Sequence, residues 1–203
     1  MSQMIALLVA THNSHKTREL VQLLGRGFVV RDLTSERDLP QLVESGTTFE
    51  ENASLKAIAV SKIFPEETVI ADDSGLEVDA LGGAPGIFSA RYAGAAANDR
   101  ANVEKLLHEL RVARDRSARF YCVIALAKNG ELITTVAGEV AGTITDSPSG
   151  ENGFGYDPVF VPNGFKETFA ALTSETKNKI SHRAKAAAAL MDYFNTPPGS
   201  GEM

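Results

Sequence analysis

A single cysteine, Cys122, occurs in 203 residues, so no disulfide framework can form within the chain. Cys122 lies in an apolar run and reads as a buried thiol, not a nucleophile. So few thiols suit a reducing compartment. Basic residues are also short: 20 Lys and Arg stand against 26 Asp and Glu, a net charge of −6. A duplex-binding surface needs cationic excess, so polymeric nucleic acid is excluded as the expected partner. A small anionic ligand is not, because a local cationic pocket does not need global positive charge. No apolar run reaches the length of a membrane span. Residues 4–10 are apolar but short, and no basic leader precedes them, so no secretory signal is expected. The expectation is a cytoplasmic protein without membrane association.

What is present is ordinary globular material, 43% apolar and 23% charged. The length suits one domain, or one domain with a lobed insertion. Strands are expected at residues 5–10, 28–33 and 68–71, the last leading into Asp72 and Asp73. Phe49, Ala53, Ala57, Val60 and Phe64 repeat at helical spacing, with Thr48 and Glu51 at capping-box spacing and Pro65 as the stop. Asn98 is positioned to cap a helix carrying Val103, Leu106, Leu107 and Leu110. Residues 120–127 are apolar throughout, as in a strand covered on both faces. Asn129-Gly130 then signals a hairpin. Residues 132–145 should return antiparallel, with Gly138 and Gly142 as candidate bends. Ser181 opens an expected last helix with Ala187, Leu190, Met191 and Phe194 facing inward. This order of elements gives an α/β fold with a mixed sheet, two-lobed, with the long hairpin as a second lobe and a substrate cleft between the lobes. Residues 1–195 are read as that one domain and 196–203 as a flexible tail.

The most informative stretch is ADDSGLEVDALGGAPGIFSARYAG. Asp72 and Asp73 are adjacent carboxylates placed at an expected strand end. Neighbouring anions repel unless a cation lies between them, and Mg²⁺ prefers such hard oxygens. A solvated acidic turn at Gly75 is the plainer reading of the pair alone. Thr11, His12, Asn13, Ser14, His15 and Lys16 join a strand to a helix, where backbone N–H groups form an anion site. His15 and Lys16 oppose the macrodipole there, which suggests a compensating anion such as phosphate; Lys16 reads equally as a solvent-reaching side chain. The same conflict recurs where His182 and Arg183 follow Ser181. Arg presents a fork of donors suited to phosphate or carbonyl oxygens, whereas a lone His is more often a surface residue. Glu44 is either a third carboxylate for a metal or a solvated loop residue. Phe154 is an aromatic between glycines, able to stack on a planar base or to plug a loop end. Lys177 points toward the same region or toward water.

Five segments, ATHNSHKTREL, TFEENASLKA, ADDSGLEVDALGGAPGIFSARYAG, GFGYDPVF and SHRAKA, together resemble the inosine/xanthosine triphosphate pyrophosphatase family, in order and over residues 10–186. The resemblance implies hydrolysis of non-standard purine nucleoside triphosphates (ITP, dITP, XTP) to the monophosphate and pyrophosphate. It implies a two-lobed α/β fold, a homodimer and Mg²⁺ dependence. By the same resemblance the phosphates lie against Thr11, His12, Asn13, Ser14, His15 and Lys16, and Glu44 and Asp73 hold the metal. Asp73 serves as proton acceptor, with Asp72 and Lys16 beside it in the catalytic group. Ser74, Phe154, Gly155, Tyr156, Asp157, Lys177, His182 and Arg183 line the substrate pocket. Two positions depart from the family pattern: His12 stands where Gly is usual, and Ala184 where Gly is frequent. The alternatives are a related pyrophosphatase acting on pyrimidine nucleotides, which the complete GFGYDPVF and SHR segments oppose, and a nucleotide-binding sensor without turnover, which Asp72, Asp73 and Lys16 oppose.

Overall fold

The computed structural model describes residues 4–36 and 45–196. Glu44, most of the irregular segment before the second helix, and all but the first residue of the expected tail lie outside the described residues. The chain folds as β1 (Ile5–Val9), α1 (Ser14–Leu24), β2 (Phe28–Asp32), α2 (Phe49–Ile63) and β3 (Val69–Val78). It continues as α3 (Asp99–Glu109), β4 (Ser117–Lys128), β5 (Glu131–Ile144), β6 (Phe160–Pro162), α4 (Ser174–Ile180) and α5 (His182–Asn195). The six strands form one mixed sheet in the order β2-β1-β3-β4-β5-β6. β1 runs parallel to β2 (Leu7 opposite Val30) and to β3 (Leu8 opposite Val69), and β5 runs antiparallel to β6 (Gly142 opposite Pro162). This is the mixed α/β sheet that the alternation of strands and helices predicts.

Local signals set the element ends. The Thr48 side chain caps α2 by accepting from Glu51 N at 3.1 Å. Glu51 reaches back one residue further than a capping box does, accepting from Thr47 N at 2.6 Å and Thr47 Oγ1 at 2.9 Å. Asn98 caps α3 through Ala101 N at 2.9 Å. Asn129 and Gly130 take φ of 51° and 78°, the left-handed pair that a two-residue hairpin needs. Gly142 is not a bend. A Cβ there would lie 2.3 Å from Val161 O, so glycine lets β6 pair closely with β5.

Two compact units divide the chain. The first comprises Met1–Asp73, Val123–Gly138 and Arg183–Met203, and the second Ser74–Cys122 and Glu139–His182. The hairpin is not a lobe by itself, because its turn end belongs to the first unit and its open ends to the second. In the first unit, Leu7, Leu8 and Val9 of β1, Leu20 and Leu24 of α1, Ala53, Ala57 and Val60 of α2, and Ala186, Ala187 and Leu190 of α5 are buried. Met191 and Phe194, also expected inside, are only half-buried. The second unit packs Leu76, Val103, Leu106, Phe120, Ile144, Tyr156, Phe160 and Phe169 into one cluster. Arg116 locks it by donating to Leu110 O, Ile144 O and Thr145 O at 2.7 to 2.9 Å. Cys122 is fully buried. No helix among the described residues is long and apolar enough to cross a membrane.

Candidate active site

Asp72 and Asp73 are not at a strand end. β3 continues through both to Val78, and Asp72 and Asp73 are only 3% and 8% exposed. The solvated-turn reading therefore fails, Gly75 included. Two ionised carboxylates inside a strand need partners, and the first unit supplies three cations. Lys16 Nζ pairs with Asp72 Oδ1, and Arg183 Nε donates to Asp72 Oδ2 at 3.0 Å. Lys56 Nζ donates to Asp73 Oδ1 and to Asp72 O, both at 2.9 Å. Arg183 also reaches Glu19 through Nη1 at 2.5 Å. The elements explain the convergence. β1 and β3 are parallel neighbours, so the turn after β1 and the middle of β3 lie at one end of the sheet, with Lys16 in the first turn of α1.

Lys16 and Arg183 do oppose their helix dipoles, but the compensating anion is part of the protein. Asp72 serves both. The α1 start is partly satisfied as well, since the Asn13 side chain accepts from His15 N at 3.0 Å and Lys16 N at 3.3 Å. Thr11 Oγ1 accepts from Asn13 N at 3.0 Å, tightening the turn. His12, Asn13, Ser14 and His15 are exposed, and Thr11 and Lys16 are half-buried. His12 therefore faces solvent, as a side chain added to a tight turn must unless it displaces its neighbours.

Lys56, Glu19 and Asn52 are additions that the sequence reading missed. Lys56 and Asn52 carried a signal, since both fall on the buried stripe of α2 beside Phe49, Ala53, Ala57 and Val60. A lysine on such a stripe needs a buried carboxylate. Asn52 Oδ1 accepts from Gly46 N at 2.9 Å, and its Nδ2 is buried without a partner among the described residues. Glu19 lies one turn beyond Lys16 and carried no signal of its own.

The second unit gathers the other candidates. Asp157 is buried and accepts from Lys177 Nζ at 2.7 Å and from Phe154 N at 2.9 Å. Lys177 sits on α4, a helix the sequence reading did not anticipate, and its ammonium lies 5.2 Å from the Phe154 ring centroid. It leans into the protein, not toward water. Gly155 N donates to Asp99 Oδ2 at 2.6 Å. Tyr156 Oη donates to Ser89 O at 2.9 Å, and burial pushes that hydroxyl well above the usual phenol range. His182 is no surface residue. It is 4% exposed, and its ring stacks on Phe120 with centroids 4.7 Å apart and planes at 10°. Ser181 opens the last helix as expected, standing with extended backbone immediately before α5, and it also closes α4 by donating its N–H to Lys177 O. Ser74 is the half-buried first residue of this unit.

Asp72 and Asp73 are hard oxygen donors of the kind that could hold Mg²⁺. Around Asp72 and Asp73, three carboxylates balance three cations, so a highly anionic ligand would bring charge that these side chains alone do not offset. Among the described residues no three His, Cys, Asp or Glu form a metal cage. Mg²⁺ does not need one, since it binds through one or two carboxylates together with water and phosphate oxygens.

A family model described as the Ham1 family matches residues 7–193. The dITP/XTP pyrophosphatase of Bacillus licheniformis is 51% identical over 183 residues, covering 89% of this chain and 93% of the relative. That of Bacillus subtilis is 50% identical over 182 residues, covering 88% and 91%. Among solved structures, the Staphylococcus aureus Ham1 protein matches with a TM-score of 0.84 at 42% identity, covering 94% of this chain and 98% of that one. The Mycobacterium abscessus nucleoside-triphosphatase, titled also dITP/XTP pyrophosphatase, matches at 0.74 and 42%, covering 92% and 99%. A buried, doubly ion-paired Asp-Asp motif on the third strand, with likeness over nearly the full length of both sequence and fold, establishes that the chain belongs to the Ham1 family.

Proposed function

We propose that the protein is a dITP/XTP pyrophosphatase, hydrolysing ITP, dITP and XTP to the monophosphate and pyrophosphate. The observation that carries this reading is the buried group of Asp72 and Asp73 with Lys16, Lys56 and Arg183. Two relatives about half identical to this chain bear the name dITP/XTP pyrophosphatase.

Asp73 accepts the proton of the attacking water. Lys56 holds Asp73 Oδ1 in place and favours its charged form, the form a base needs. Lys16 is the cation that stabilises charge on the triphosphate, and Asp72, itself fixed by Arg183, keeps it oriented before substrate arrives. Mg²⁺, held by Asp73 and by Glu44 as the family resemblance implies, would neutralise phosphate oxygens and polarise the scissile anhydride. In the second unit, Phe154 stacks on the base, and His182 offers a donor to the six-position carbonyl shared by inosine and xanthosine. Adenine presents an amino donor there and leaves such a site unpaired. The protein works as a cytoplasmic homodimer, a reading supported by the family resemblance and, for the compartment, by its one buried thiol.

Product analysis tests the reaction. Incubation with ITP and Mg²⁺ should give IMP and pyrophosphate in equal amounts. Release of IDP and orthophosphate would place the cleavage at the wrong bond and reject the reading.

A further inference from the structure

We infer that Phe120 is a positioning residue for base recognition, holding the His182 imidazole in the plane from which it reads the substrate. The inference rests on the assignment of His182 to the base. The two rings are stacked nearly parallel, 4.7 Å between centroids at 10°, and are 7% and 4% exposed. Phe120 is itself fixed from other sides. Phe160 meets it edge-on at 4.8 Å and 64°, and Phe169 lies at 6.1 Å and 26°. Phe160 and Phe169 also touch, at 5.2 Å. The same cluster reaches Lys177, whose Nζ lies 5.8 Å from the Phe169 centroid.

The consequence is directional. A side-chain hydrogen bond weakens steeply as its donor angle departs from linear. An imidazole rotates about two bonds, and its outer bond has a broad profile with no strong staggered preference. Packing must therefore choose the ring plane, and the face of Phe120 does so. Phe120 need not touch the nucleotide. Nothing in the residue type singles it out in sequence, where it is one apolar position of β4.

Kinetics of Phe120→Leu, His182→Ala and the double variant on ITP and ATP test this, with Phe160→Leu as control. Phe120→Leu should cut the ITP-over-ATP preference about tenfold, the worth of one well-aligned hydrogen bond. The change should appear mainly as a raised KM for ITP, because base contacts bind ground and transition states alike. It should add nothing further in the His182→Ala background. The ring-retaining Phe120→Tyr should restore most of the preference. Phe160→Leu, which removes a ring packed on Phe120 and not on His182, should lower stability and reduce the preference less than Phe120→Leu does. An undiminished preference in Phe120→Leu, beside a lost preference in His182→Ala, overturns the positioning role alone. An undiminished preference in His182→Ala overturns the base assignment and this inference with it. Should Phe120→Leu not fold, the wild-type protein decides by NMR. His182 ring protons shifted upfield by the Phe120 face, and perturbed by the ITP reaction product IMP but not by AMP, support the inference, and unshifted protons refute it.

Discussion

Arg183 and Asp72 are 111 positions apart in sequence and joined at 3.0 Å, with both side chains all but fully buried. Removing one partner of a buried pair leaves the other charge uncompensated. Arg183→Ala should therefore cost about 3–5 kcal/mol of stability in urea unfolding. Arg100→Ala removes the exposed pair with Glu104 and should change stability by nothing measurable. Similar effects from the two would mean that the buried pair is no more important than a surface one.

Asp73→Asn should keep the fold and lose turnover by more than about 10²-fold, because an amide neither accepts the water's proton nor binds Mg²⁺ well. Steady-state assays with ITP, paired with a circular dichroism melt, measure both halves. Activity above a tenth of wild type would remove Asp73 from the centre of the mechanism.

Lys56→Met replaces a buried ammonium, bonded at 2.9 Å to both Asp73 Oδ1 and Asp72 O, with an apolar chain of similar length. It should destabilise by about 3 kcal/mol and abolish most turnover. Adding Asp73→Asn should recover part of the stability and none of the activity, because the stranded charge is then gone. Strictly additive losses would show that Lys56 and Asp73 do not act as a pair.

His12 is exposed, in a turn where the family resemblance implies glycine. His12→Gly should keep or modestly raise turnover and leave its pH dependence unchanged. A tenfold loss, about 1.4 kcal/mol of transition-state stabilisation, would show that His12 works on the triphosphate.

Local signals were legible in the sequence. Thr48 and Asn98 cap helices, Asn129-Gly130 turns the hairpin, and Cys122 is core, because each depends on a few neighbouring residues. Long-range compensation was not legible. Asp72, Asp73 and Gly75 look like a turn, and only partners from α1, α2 and α5 make a strand tolerable there. The misplaced cations Lys16 and Arg183 correctly marked a charged site, but their anion is Asp72, which no spacing rule reveals. α4 was missed because its seven residues are mostly polar or charged and hold only one apolar side chain, Ile180. Its Thr173 cap, bonded to Thr176 N at 3.2 Å, was the one available sign. Lys56 was hidden by its charge, although its position on an apolar stripe was the clue.

The central claim is that the buried Asp72 and Asp73 group serves a pyrophosphatase selective for six-carbonyl, non-standard purine triphosphates. The most direct test is pyrophosphate release from a panel of ITP, dITP, XTP, ATP, GTP, CTP and UTP with Mg²⁺. ITP, dITP and XTP should exceed ATP in kcat/KM by roughly two orders of magnitude or more, the size of hydrogen-bond discrimination, and should also exceed GTP, which shares the six-position carbonyl and so must be rejected at its 2-amino group. Equal turnover of ATP and ITP, preference for CTP or UTP, or binding without release of pyrophosphate would contradict it.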